Sequence, residues 1–113
     1  MLYREDVLKS LLAFDEPIEV LESQLAKFEW DSEDALGILS RRHSVEVLKR
    51  FLDGALSAAD VENWANLIEG RDDINFEPNG ADVIKELIHE LANPILTREL
   101  THASAKEWIT RLK

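Results

Sequence analysis

The stretch Ser57-Ala58-Ala59-Asp60-Val61-Glu62-Asn63-Trp64-Ala65-Asn66-Leu67-Ile68-Glu69-Gly70 carries a start signal, an apolar stripe and a stop signal for one helix. Ser57 and Asp60 stand at the spacing where two polar side chains can each satisfy the other's backbone N–H. Asp is a shorter arm than the Glu usually found there, so the box is imperfect. Behind it Val61, Trp64, Ala65 and Ile68 recur with the period of an α-helix and turn one face toward a core. Gly70 then supplies a residue that can enter the left-handed region and end the helix.

The same marks recur on both sides. Toward the N-terminus, Ser44 is the expected cap of a helix in which Val45, Leu48, Phe51 and Leu52 pack inward, with Gly54 as its stop. From Glu29 to Arg42 the stripe fails. Trp30 precedes Asp31, Ser32, Glu33 and Asp34, and Leu36, Ile38 and Leu39 surround Gly37, which predicts a loop or one short extended stretch. Val7, Leu8, Leu11 and Leu12 predict a helix between Leu2 and Phe14. Ile18, Leu21, Leu25 and Phe28 predict a second one opening at Pro17, where a missing N–H costs nothing, and the two should pair antiparallel.

Toward the C-terminus, Arg71 to Gly80 reads as a structured, charged connection. Val83, Ile84, Leu87, Ile88 and Leu91 mark the next helix. It must stop at Asn93-Pro94, because a residue before proline disfavours helical torsions. Thr101 caps a last helix with Ala105, Trp108, Ile109 and Leu112 inward. The fold class expected is all-α: an irregular bundle of about five or six helices with one short extended segment near Trp30–Leu39. The 113 residues form a single acidic domain.

Hydrophobic residues are 45% and charged residues 32% of the chain, a globular balance. Thirteen Lys and Arg against 23 Asp and Glu give a net charge of −10, which repels nucleic acid and anionic lipid. The absence of cysteine removes disulfides and thiolate chemistry and fits a reducing, cytoplasmic setting. The first fourteen residues interrupt their apolar pattern with Arg4, Glu5, Asp6 and Lys9, unlike a signal peptide, and no apolar run is long enough to span a membrane.

Catalytic signatures are missing. The serines lie in no nucleophile elbow, the four glycines are single and cradle no phosphate, and no cofactor motif is present. His43, His89 and His102 lack zinc-ligand spacing. Asp73-x-Asn75-x-Glu77 has the alternating oxygens of a calcium loop. An EF-hand counted from Asp73 would need glycine and glutamate where Pro78 and Ile84 stand, so no metal is expected. Trp64 and Trp108 fall on apolar stripes and read as core. Trp30, beside the Asp31 to Asp34 run, is the preferred aromatic contact residue. Arg41, Arg42, His43, Lys49 and Arg50 form the one basic cluster, read as counter-charge within the fold.

The acidic excess is uneven. From Asp53 to Asp82 the single cation is Arg71, and from Asp15 to Asp34 it is Lys27. The stretch Leu56 to Asp73, followed by Leu91-Ala92-Asn93-Pro94, resembles small acidic bacterial proteins described as immunity-like, over about half the chain. That resemblance implies a role in blocking a cationic toxin, often a nuclease, by occupying its substrate-binding surface. The expected protein is therefore no enzyme but a partner-binding domain. Its contact residues are Trp30, Asp31, Glu33, Asp34, Glu69, Asp72, Asp73 and Glu77, and its partner is a cationic protein. The alternatives are a helical adaptor or oligomer-forming subunit that binds through an apolar stripe, and a small carboxylate-metal hydrolase near Asp72.

Overall fold

The computed structural model describes residues 3–28, 37–71 and 73–113. In chain order these form α1 (Arg4–Ala13), α2 (Ile18–Leu25), β1 (Gly37–Leu39), α3 (Arg41–Leu52), α4 (Ala58–Ile68), β2 (Ile74–Phe76), a 3-10 turn (Pro78–Gly80), α5 (Ala81–Ala92) and α6 (His102–Leu112). Six α-helices thus dominate, as the stripes predict, and no described helix is long and apolar enough to cross a membrane.

The box at the head of α4 closes fully. Ser57 Oγ accepts the Asp60 N–H at 3.1 Å, and Asp60 Oδ2 accepts the Ser57 N–H at 2.9 Å, so the shorter aspartate reaches after all. Thr101 caps α6 in the same way with Ser104 as its reciprocal partner. Gly54 and Gly70 both take left-handed torsions, φ 83° and 84°, where a side chain would be strained.

The cap of α3 differs from the expectation. Ser40 rather than Ser44 starts the helix: its Oγ accepts the His43 N–H at 3.1 Å, and its own N–H donates to His43 Nδ1 at 3.1 Å. Histidine does the work of glutamate in this box. Ser44 is instead buried, its hydroxyl donating to the Ser40 carbonyl at 3.1 Å.

A second correction is the strand β2, inside what reads as a connection. It pairs in parallel with β1, Gly37 opposite Ile74 and Leu39 opposite Phe76. Parallel neighbours need a crossover, which here is made by α3 and α4. Helix α1 packs on β1 and α5 on β2.

Helix α4 packs on α5 and α2, and α3 on α6. Trp64, at the centre of α4, is fully buried and donates its indole N–H to the Leu11 carbonyl in the last turn of α1, 2.6 Å away. Its ring stacks on Phe14 at 6.2 Å between centroids. Phe14 is the one described residue other than glycine with positive φ, 50°. Two contacts hold it there: the buried ring, and Arg50, whose Nη1 donates to the Phe14 carbonyl at 2.8 Å while its guanidinium covers the ring.

Trp64→Phe keeps an aromatic ring while removing the indole donor and leaving a gap. It should lower the unfolding free energy by about 1–3 kcal/mol in urea titration. A loss below about 0.5 kcal/mol would mean that the tie between α4 and α1 contributes little.

Candidate functional site

Of the eight residues singled out for partner contact, Trp30, Asp31, Glu33, Asp34 and Asp72 lie outside the described residues. The other three are not brought together. Each is held by a different neighbour.

Asp73 is a correction, because it is not on the surface at all. Its carboxylate is 0% exposed. It takes a forked pair of bonds from Arg71, Nε to Oδ1 at 2.9 Å and Nη2 to Oδ2 at 3.0 Å, and a third from Arg4 Nε at 2.9 Å. Burial pushes its pKa up, but the bonds from Arg71 and Arg4 outweigh that and hold it below the usual aspartate range. Two arginines around one buried carboxylate make a structural anchor, and a partner could reach it only by dismantling the anchor.

Glu77 acts as a cap from a distance. Its Oε2 accepts the Arg41 backbone N–H at 2.9 Å, at the first turn of α3, and Arg41 Nε at 3.3 Å. The backbone bond from Arg41 is the main reason its pKa lies below the usual glutamate range. Glu69 receives Asn93 Nδ2 at 3.1 and 3.2 Å and lies 3.1 Å from His89 Nδ1, which pins the end of α4 to the end of α5. Sequence reasoning missed these roles because Arg4, Arg41, His89 and Asn93 lie at least twenty residues from the carboxylates they meet, and only Arg71 is near its partner, two residues from Asp73.

The calcium-like spacing dissolves for the same reason. Asp73 and Glu77 already direct their oxygens at guanidinium groups. Among the described residues no group of three His, Asp or Glu is placed to hold a metal ion. Of the basic cluster, Arg41 is counter-charge to Glu77, whereas Arg50 donates to the neutral Ala13 and Phe14 carbonyls at the α1 terminus.

What the fold does bring together is a different set of carboxylates. Asp15, Glu16 and Glu19, at the turn from α1 into α2, line an open cleft of about 430 Å³ with Asp60 and Asn63 of α4. Arg50 is the one cation along it, and its guanidinium is engaged by the Ala13 and Phe14 carbonyls. Asp15, Glu16, Glu19 and Glu22 are all exposed, and none forms an ion pair among the described residues. The signal for this set was legible as the Asp15 to Asp34 excess. Its pairing with α4 was not. The chain matches no protein-family model, no curated protein and no solved structure at a significant level.

Two predictions follow from the anchored groups. Asp73→Asn removes the buried charge on which Arg71 and the half-buried Arg4 converge and should cost about 3–5 kcal/mol of stability. The folded state holds the Asp73 proton less tightly than the unfolded chain. The ion pair's contribution is therefore complete above the ordinary aspartate pKa of about 3.9 and disappears as pH falls through the lowered folded value. A D73N protein that melts with the wild type at neutral pH would contradict this.

For His43, burial is the largest cause of a lowered pKa, Arg42 adds to it, and Glu77 opposes it. Neutral His43 accepts the Ser40 N–H. Stability from this box is thus complete above about pH 6.5 and declines as pH falls toward the folded value. The melting temperature of the wild type should fall between about pH 7 and pH 5.5 by more than that of His43→Gln, whose amide can accept the same bond without titrating. Equal falls would remove His43 as the cause.

Proposed function

We propose that this protein is a non-catalytic binding domain of the inhibitor or immunity type, which blocks a cationic, nuclease-like protein through an acidic surface. The observation that carries the reading is the sorting of its carboxylates. Those that pair with Arg side chains, Asp73, Glu77, Glu86, Glu90 and Glu107, serve the fold. Those along the start of α2 are exposed and form no ion pair among the described residues. In sequence the same run continues through Glu29, Asp31, Glu33 and Asp34.

A row of uncompensated carboxylates raises the self-repulsion of the folded state, and a cationic partner relieves it. A nuclease surface is basic because it must hold phosphate. An acidic protein competes for that surface with fast, salt-sensitive association. The loose resemblance of Leu56 to Asp73 to immunity-like proteins supports the same class, with a cytoplasmic site of action.

The test is affinity capture from host lysate at about 50 mM and about 500 mM salt, where the screening length differs severalfold. The expected partner is a basic protein retained only at the lower salt and lost from a Glu16→Lys/Glu19→Lys variant that keeps its helical circular dichroism. A partner that ignores both salt and charge reversal would overturn the reading in favour of an apolar adaptor contact.

A further inference from the structure

Helix α4 borders a second depression on its other side, of about 360 Å³, between its first turn, the end of α5 and the connection to α6. Leu91 and Leu100 contribute apolar surface, Ile95 lines one side, and Glu62, Glu90 and Glu99 contribute carboxylates. No Lys or Arg lines it. Glu90 is already answered by Arg98 and by the Trp108 indole N–H, but Glu62 and Glu99 have no ion pair among the described residues.

Ile95 is 98% exposed and its neighbour Leu96 78%. Large aliphatic side chains scattered on a surface need no explanation, but these two stand in a turn that is tied down. The Asn93 carbonyl accepts the N–H groups of Leu96 and Thr97, and the Thr97 hydroxyl donates to the Asn93 carbonyl at 2.7 Å and to that of Glu90 at 3.1 Å. Arg98 then bridges Glu90 to Glu107 of α6. This ordered turn holds two aliphatic side chains in water beside a carboxylate-lined groove.

We infer that this groove docks a segment of a cationic partner protein, one that presents a large apolar side chain flanked by Lys or Arg. The apolar side chain enters between Leu91, Ile95 and Leu100, and the flanking cations meet Glu62 and Glu99. Charge selects this occupant over the others. A second copy of this chain using the same patch would set carboxylates against carboxylates, and an anionic membrane is repelled outright. The inference rests on the acidic-surface reading and adds to it a buried anchor of the kind that dominates interface energies.

Trp108 reports on the groove because its indole N–H is bonded to Glu90 in the lining. The test uses the full chain, labelled with nitrogen-15 and titrated at low salt with a capped Lys-Leu-Phe-Leu-Lys peptide. Saturable shifts are expected at the Trp108 indole and at the amides of Leu91, Ile95 and Leu100. Glu62→Gln with Glu99→Gln should weaken binding about fivefold. Ala59→Leu should abolish it by filling the groove from an exposed position in the first turn of α4, with no change to the core. Shifts confined to Asp15 through Glu22, equal binding of a peptide with alanine at the three apolar positions, or concentration-dependent shifts without peptide would each overturn the groove. A captured cationic partner that binds Ala59→Leu as tightly as wild type would also overturn the groove, while leaving the acidic-surface reading intact.

Discussion

A carboxylate taken wholly out of water must be compensated where it stands, and Asp73 is compensated by two arginines, one 69 positions away along the chain and one two positions away. Arg4 comes from the first turn of α1 and Arg71 from the exit of α4, while the Asp73 carbonyl accepts the Gly37 N–H that begins the sheet. One residue therefore fixes where α1 begins, where β1 lies and how β2 leaves α4. Three residues per strand would not hold a parallel pair alone, and the anchored carboxylate, with α1 on one side and α5 on the other, supplies what the strands lack. The position of α3 follows, because Glu77, just beyond β2, sets the first turn of α3.

The helices were legible because their signals are local. Ser57 with Asp60, Thr101, Gly54, Gly70 and Asn93-Pro94 each act within a few residues, and the apolar stripes around Trp64 and Trp108 repeat often enough to identify a period. Strand β2 was not legible, since Ile74-Asn75-Phe76 is too short to establish alternation and is stabilised by pairing across a crossover. Ser40 was missed because a histidine serves as its reciprocal partner, so the sequence lacks the acidic residue by which such boxes are recognised.

The candidate site fared less well for a related reason. Adjacency in sequence grouped Glu69, Asp73 and Glu77, whereas the fold sends them to Asn93, to Arg4 with Arg71, and to Arg41. Whether a carboxylate faces solvent or a guanidinium depends on contacts that composition does not encode. The excess of charge was readable. Its division between groups that serve the fold and groups left unanswered required the geometry, and that division draws attention to both sides of α4.

The long reach of these ties bears on how the chain is made. The Arg4–Asp73 bond spans 69 positions and the Trp64–Leu11 bond 53, so these two ties of the first helix cannot form until more than half of the protein has been synthesised, whereas its packing on α2 can. At about 5–20 residues per second, α1 waits several seconds for Trp64 and Asp73, with α2 and β1 the first elements available to cover Val7, Leu8, Leu11 and Leu12. The charged side chains that interrupt this helix, Glu5, Asp6 and Lys9, keep the nascent segment soluble during that interval. The anchoring of the amino-terminal end through Arg4 is thus completed only once Asp73 has been synthesised.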